Sequence, residues 1–597
     1  MRDVKFSEGI IENAELIVEK CMGEEEAFCV SECPMNTDAK GYVNLVAENN
    51  LDDAIDLIRE KLFLPNTLGR ICAHPCEKAC RRNTEFNQPI AIAALKRYVA
   101  EKADKKENWD TTVKPDSGKK VVVIGAGPAG AQAAIDLRRE GHEVTILEKL
   151  EVFGGMMRVG IPEYRLPRDV IDFEFSYLAD LGVEVKFGVE VGKDVMFADL
   201  KNDYDAVVIA NGAHKGNLIP LPGHEAEGVF TAVDYLKEIS LTHAFPRAGK
   251  RVMVIGGGDV AMDCARSSFR IGATEVFQCS LEKLEDLPAS QEEIDESQEE
   301  GVQFNAGWGP LEIVKNEEGK VTGIKIQQVS CIYDLEGNFN PQYECEPKII
   351  EVDTVVFATG QLVIDITNGE IETTRGGRFV VDKQTLATSI ENVFVAGDSA
   401  GTNIVVEAMA YGRKAALSIN NYLNGKELSF GRNFEIEYSY STKLDVPLPE
   451  DTEDLPRVHH NLRNADERKL DFEQCDLGLT DEMAVQEASR CLECECKICM
   501  SECVMMNDFG TCPKDILEGL SEDGEMDPLL AYSCNACDNC TIVCPHELPM
   551  KNIFIGSRKD FVKANGGKSP MAGHKAIVMH QLLGFSKLFT IKRKGRK

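Results

Sequence analysis

The sequence predicts an α/β core of two interleaved Rossmann-like domains, flanked by a helical domain at either end. Three observations predict it. Two glycine-rich stretches, "VVVIGAGPAGAQAAIDLRREGHEVTILEK" and "RVMVIGGGDVAMDCARSSFRIGATEVFQCS", each read as a buried strand, a tight turn, a helix and a second strand. A later segment, "ENVFVAGDSAGTNIVVEAMAYGRKAALSIN", repeats the step from strand into helix. The cysteines cluster outside this core: of 21, six precede residue 81, eleven follow residue 474 and four are scattered between.

The 597 residues are enough for several domains. With 66 basic and 99 acidic residues the net charge is −33. That excludes a general nucleic-acid binder, which needs a basic footprint, and suits docking to basic partner patches. The tail "KLFTIKRKGRK" is the basic exception: a solvated tail, a partner latch or a contact with anionic lipid. The N-terminus "MRDVKFSEGIIENAELIVEK" is too acidic for a signal peptide, and no apolar run is long enough to span a bilayer. A cytoplasmic location is therefore expected. Stable disulfides are rare there, so cysteines at short spacing read as metal ligands.

Residues 1–110 carry helical periodicity, as in "GYVNLVAENNLDDAIDLIREKLFLPN", together with Cys21, Cys29, Cys33, Cys72, Cys76 and Cys80. A polar linker follows. A first dinucleotide-binding domain is expected over 118–240 plus 361–425, and a second over 241–360. Residues 426–480, acidic and poorly periodic, read as an extended linker. Residues 481–597 form the C-terminal ferredoxin-like domain.

In the first unit Gly125, Gly127 and Gly130 make G-x-G-x-x-G, with Pro128 and Ala129 inside the turn. The first glycine permits the turn, the second admits a pyrophosphate to the backbone, and the third lets the helix pack on the strand. The helix N-terminus offers N–H donors and positive charge. Glu148, followed by Lys149, stands where an acid accepts from ribose hydroxyls. In the second unit Gly256, Gly257 and Gly258 play the same part, followed by Asp259 and Val260. The stretch after its second strand, 282–300, holds nine acids and one lysine. A 2′-phosphate would meet repulsion there, whereas a 2′-hydroxyl suits an acid, so Glu282 points to NAD(H). No redox cysteine pair is visible in the core, because Cys264 and Cys279 lie far apart, which argues against a disulfide reductase.

Cys534-x2-Cys537-x2-Cys540-x3-Cys544-Pro545 is a ferredoxin ligand run for a 4Fe-4S cluster. Zinc is the simpler alternative, but the x3-Cys-Pro ending disfavours it. Upstream, "RCLECECKICMSECVMMNDFGTCP" is irregular. Cys496, Cys499 and Cys503 are the expected ligands, with Cys494 or Cys491 completing the set. Cys475 stands alone and reads as structural.

Together "GRICAHPCEKACRR", "PIAIAALKRY", "VVVIGAGPAGAQAA", "FGGMMRVGIPEYRLPRDV" and "GGGDVAMDCARSSFRIGA" resemble the small subunit of glutamate synthase. The same module occurs in dihydropyrimidine dehydrogenase and in the large subunit of NADH-dependent ferredoxin:NADP oxidoreductase. The resemblance covers about residues 20–425. It implies FAD, a nicotinamide nucleotide and N-terminal 4Fe-4S clusters, and it adds Gly154, Gly155, Arg165 and Gly360 to the cofactor-binding candidates. The segment with Gly397, Asp398 and Val405 resembles the second FAD signature of two-dinucleotide flavoproteins. The family's first cysteine run, C-x2-C-x4-C-x3-C-P, is matched by Cys21, Cys29 and Cys33, with Glu24 at its second position. By that pattern Cys21, Cys29 and Cys80 share one cluster and Cys33, Cys72 and Cys76 the other. A family Gln or Glu ligand falls on Lys96, which as a cation does not suit a cluster. One N-terminal cluster is therefore expected, and a second would need Glu24 or another ligand that is not cysteine; two clusters are expected at the C-terminus. "EASRCLECECKICMSEC" also matches the family's first cysteine run, and with the second run the C-terminal block resembles the two-cluster subunit of heterodisulfide reductases. The implied function is NADH oxidation, or NAD reduction, with electrons passed through FAD and clusters to or from a partner reductase in a hetero-oligomeric complex. No catalytic side chain is singled out. Two alternatives stand beside this one: a glutamate synthase small subunit using NADPH, and a C-terminal block whose clusters serve only as a docking scaffold.

Overall fold

The apolar run Val121–Ile124 is buried on both faces, which places its strand at the centre of a parallel sheet. A computed structural model describes residues 4–21, 28–430, 452–492, 494, 498–510, 512–544 and 547–584. Glu24, Cys496 and the basic tail 587–597 lie outside the described residues.

The first sheet has five parallel strands in the order Val393–Val395, Ala206–Ile209, Lys120–Ile124, Glu143–Leu147, Glu184–Lys186. The second repeats the plan with Val229–Thr231, Thr354–Phe357, Arg251–Ile255, Glu275–Ser280 and Gln303–Ala306. In both, the strand entering the glycine loop is central. The first sheet is completed by residues beyond the second, so the two units interleave. The chain crosses between them through a two-stranded ribbon, Lys215–Gly216 against Gln361–Leu362. One boundary differs from expectation: Val229–Thr231 pairs in the second sheet, so the break expected at 240 falls inside the helix Ala232–Thr242. A strand of three residues is too short to carry a periodic signal. A three-stranded antiparallel sheet, Trp308–Lys315, Val321–Tyr333 and Phe339–Ile350, is appended to the second unit.

The flanking domains are helical, but their ends are exchanged. The helix Glu8–Lys20 has Ile10, Ala14 and Ile17 on one face, and that face is buried with Leu517, Leu520, Met550, Ile553 and Phe554 of the C-terminal domain. Phe6 meets Phe561 edge-on at 5.3 Å. Burying each isoleucine is worth about 1.5–3 kcal/mol, enough to fix a short helix on this surface. Reciprocally, the helix Asp481–Ala488 buries Ala484 and Ala488 in the N-terminal core. Residues 1–110 and 481–597 are therefore not closed units.

The segment expected as an extended linker is a packed strap over residues 452–480. It carries a small ribbon, Asn461–Leu462 with Asp476–Gly478, and the helix Ala465–Arg468. Arg468 is 1% exposed and donates to Glu300 (3.0 Å) and Glu299 (2.8 Å) of the second unit. Glu300 also takes Arg266 (2.9 Å) and Arg270 (2.7 Å). Burial opposes ionisation of Glu300, but Arg266 and Arg270 win and hold its carboxyl down at about 2. Among the described residues no helix is long and apolar enough to cross a membrane.

Candidate functional site

A cavity of about 350 Å³ opens where the two units meet, within the range of cofactor sites. Gly125, Gly127, Pro128, Ala129, Glu148, Lys149, Gly155, Gly397, Asp398 and Val405 line it, as does Val260 of the second unit. Its floor is built from the first strand–turn–helix. Gly125 turns at φ +109°, and a Cβ there would stand 2.4 Å from the Ala210 carbonyl oxygen. A Cβ on Gly130 would stand 2.0 Å from the Gly125 carbonyl, so the helix Pro128–Arg139 rests directly on the turn. Gly127 by contrast has only Gly155 near its Cβ position, at 3.9 Å. That opening beside a helix N-terminus is the space a pyrophosphate requires.

Glu148 is buried, and its carboxylate accepts from the Ala126 N–H (2.7 Å) and the Leu150 N–H (2.8 Å). Burial raises its pKa; the N–H donors pull the other way. At the opposite end Thr402 donates to Asp398 (3.0 Å), whose carboxyl is also raised by burial. The helix Val405–Leu423 begins on this wall and turns its positive end to the cavity. The residues therefore fit an FAD: a glycine cradle and an acid at one end, an Asp and a helix N-terminus at the other.

His214 also lines the cavity, and spacing arguments missed it. Burial, with Lys237 and Lys149 nearby, pushes its imidazole down to about 4, so it is neutral. Its only sequence signal is its place just after the buried strand Ala206–Ile209.

Other expected residues lie elsewhere. Gly130 and Gly154 support the turn from behind and do not line the cavity. Gly360 sits at the crossing, its carbonyl accepting from the Asn217 N–H at 3.1 Å. Arg165 does not line the cavity either. Its guanidinium bridges the two units, donating to Asp263 (2.9 Å) and pairing with Glu293 (2.7 Å). A buried guanidinium needs carboxylate partners, and Asp263 and Glu293 supply them.

In the second unit Gly256 turns at φ +143° and Gly258 has open space where a side chain would be. The Asp259 carboxylate accepts from the Ser290 N–H at 2.8 Å, which draws the loop before the helix Gln291–Glu300 over Gly257. Glu282 is half-buried just past the strand Glu275–Ser280. The acidic stretch behind it is less repulsive than its composition implies: Glu293, Glu296, Glu299 and Glu300 are paired with arginines, leaving Glu282, Glu285 and Asp286 nearest the strand end.

The cysteines form groups. No disulfide joins those described. Among the described residues no three His, Cys, Asp or Glu side chains surround a single ion. A four-iron cube asks something different, one thiolate at each corner rather than several around one atom. Cys29, Cys80, Cys491 and Cys494 line one small cavity in the N-terminal domain. Burial, followed by the thiols of Cys491, Cys76, Cys80 and Cys494, pushes the Cys29 thiol well up. Cys33, Cys72 and Cys76 lie together beyond it. Burial raises Cys72, while the buried Lys96 beside it opposes the rise. In the C-terminal domain burial and the neighbouring Cys503 and Cys534 push Cys540 up to about 12, and burial together with Cys503 and Cys537 raises Cys534. Cys503 thus joins the run at 534–540. Cys499 is buried in the same core, with Cys544 packed against it. Cys21, expected beside Cys29 and Cys80, instead lies in hydrogen-bond contact with the free thiol of Cys512, whose pKa that contact lowers to about 6. The exchanged helix Glu8–Lys20 carries it there. Cys475 packs against Arg270 at 3.3 Å.

Comparison with known proteins agrees with this layout. The family described as pyridine nucleotide-disulphide oxidoreductase matches residues 119–412. Dihydropyrimidine dehydrogenase domain II, 4Fe-4S cluster, matches 5–108, and the 4Fe-4S dicluster domain matches 472–549. The chain is 35% identical to the NADP(+)-dependent formate dehydrogenase subunit beta of Moorella thermoacetica, over 78% of this chain and 70% of that one. It is 31% identical to the NADPH-Fe(3+) oxidoreductase subunit beta of Geobacter sulfurreducens, over 80% and 76%. It is 32% identical to the glutamate synthase [NADPH] small chain of Escherichia coli, over 70% and 92%.

Proposed function

The chain belongs to the glutamate synthase small-subunit-like family of FAD and iron–sulfur oxidoreductases, and on that premise we propose that it is an electron-transfer subunit that exchanges a nicotinamide's electron pair for single electrons and trades them with a partner reductase. The observation that carries the reading is one cavity at the seam of two dinucleotide-type units, in a chain that also groups cysteines at both ends. Bound FAD supplies the chemistry such a layout needs, accepting two electrons together and releasing them one at a time. The chain's own residues do the positioning. The turn at Gly125–Gly130 and Glu148 hold one end of the dinucleotide; Asp398 and the start of Val405–Leu423 favour negative charge at the other. His214 stays neutral and adds no charge to the cavity.

The nicotinamide partner we propose is NADH. Its support is Glu282, with Glu285 and Asp286, at the end of the strand where an adenosine ribose is expected to lie. The competing reading is NADP(H), which the names of the Moorella relative, as NADP(+), and of the Geobacter and E. coli relatives, as NADPH, carry. Anaerobic titration with each nucleotide, following flavin bleaching, separates them. NADH should reduce the flavin at the lower concentration by at least tenfold, and Glu282→Arg should narrow that ratio. Equal affinities in the unaltered protein would refute NADH preference. The partner is proposed as another chain because the relatives named beta subunit or small chain imply companions.

A further inference from the structure

We propose that Cys29, Cys80, Cys491 and Cys494 hold one 4Fe-4S cluster, so that the two ends of the chain each supply half of its ligands. The four residues line a single cavity, although about 400 residues of chain separate the two halves. Cys491 and Cys494 have the two-residue gap that lets neighbouring thiolates reach adjacent corners of a cube. Cys29 and Cys33-Pro34 have the spacing of the closing half of such a run. The opening half, which residues 21–24 cannot provide because Glu24 stands at its second position, comes from the far end of the sequence.

A built framework holds that far end in place. Glu487 is fully buried, and its carboxylate accepts from the Ala91 N–H (2.8 Å), the Val458 N–H (2.8 Å) and Arg490 (2.5 Å). Arg490 donates onward to the carbonyls of Gln88 and Leu455, at 2.8 and 2.9 Å. Arg82, from the segment that follows Cys80, donates to the Arg490 carbonyl. One buried network therefore sets the backbone on both sides of the cavity, and its last member precedes Cys491. Arg82, Arg81 and Lys40 line the same cavity and suit the net negative charge of a four-thiolate cluster. Cys21, the competing ligand, is drawn away to Cys512 in the other core.

The placement also connects the two ends electrically. Cys494 and Cys499 are five residues apart, which limits their Cα separation to about 17 Å even at full extension. A cluster held by Cys494 is thereby tethered beside the cysteines of the C-terminal core.

Iron and sulfide analysis of the anaerobically purified full chain tests the assignment. The variant Cys491→Ser/Cys494→Ser should lose about four irons, as should Cys29→Ser. Combining all three substitutions should lose no more, because they empty the same site; Cys534→Ser/Cys537→Ser should add a separate loss. A combined variant missing about eight irons would overturn the proposal, as would full iron in Cys491→Ser/Cys494→Ser. A second measurement needs no variant. As a chelator strips iron from the unaltered protein, alkylation at Cys29, Cys80, Cys491 and Cys494 should advance with one rate constant. Labelling of Cys491 and Cys494 in step with Cys499, and of Cys29 in step with Cys21, would equally overturn it.

Discussion

Replacing Glu487 by alanine removes a buried carboxylate that joins the strap, the helix Asp481–Ala488 and the start of the helix Ile92–Ala103. Three donors lose their acceptor: the N–H groups of Ala91 and Val458, each at 2.8 Å, and the Arg490 guanidinium at 2.5 Å. Each buried N–H left unmet costs about 1–3 kcal/mol. Arg490 keeps two carbonyls and so avoids the full penalty of an unpaired buried charge. The local cost is then about 3 kcal/mol, equivalent to roughly a hundredfold change in an opening equilibrium. Amide hydrogen exchange read by mass spectrometry is the assay. Peptides spanning 88–95 and 455–462 should exchange about a hundredfold faster, while the sheet strand Lys120–Ile124 keeps its protection. Wild-type exchange at both peptides would show that the carboxylate is not what fixes this seam. Uniform loss of protection everywhere would show that the effect is global and the local reasoning wrong.

Other outcomes follow from single contacts. Gly130→Ala forces a Cβ to within 2.0 Å of the Gly125 carbonyl, so the purified variant should carry less than a tenth of the normal flavin, read by its absorbance. Burial raises the Glu174 carboxyl to about 7 against the 4.5 of an exposed one. A raised acid gives stability that is full below the unfolded value and falls as pH rises toward the folded one, here by about 3 kcal/mol between 4.5 and 7. Glu174→Gln should therefore flatten the pH dependence of the urea midpoint between pH 5 and 7; an unchanged slope would contradict it. His214 is held down at about 4, so flavin reduction between pH 5.5 and 8 should show no step that disappears in His214→Gln.

Local rules made the core legible. The G-x-G-x-x-G turn and its acid are fixed by backbone geometry within some 25 residues, and Gly125, Gly127 and Glu148 line the cavity while Gly130 packs behind the turn. The exchange of chain ends was not legible. Ile10, Ala14 and Ile17 announce a buried face, but nothing in a periodic pattern says which distant surface covers it. Cys21 was misplaced for that reason, following a local spacing while its helix was held by the C-terminal core. Arg165 shows another limit, since an arginine in a loop can face a cofactor or a carboxylate, and only packing brought Asp263 and Glu293 to it. The acids at 293, 296 and 300 recur at helical spacing, a sign of one shared face, yet composition alone counted them as a field facing the cofactor. His214 had only its place after a buried strand to betray it, and no motif.

The strap has a consequence for movement. Arg165 and Arg468 each cross a seam between units and end in buried carboxylates, and the Cys475 N–H donates to the Tyr164 carbonyl at 2.9 Å across the same divide. Swinging one nucleotide unit away from the other would break these pairs together, at about 3–5 kcal/mol for each charge left buried without its partner. Such a hinge would rarely open. Rigid-body rocking is therefore a costly movement for this chain, whereas the loop from Leu287 to Ser290, lying over Gly257, is tied down there by the Ser290 N–H bond to Asp259 and the Ala289 N–H bond to the Gly257 carbonyl.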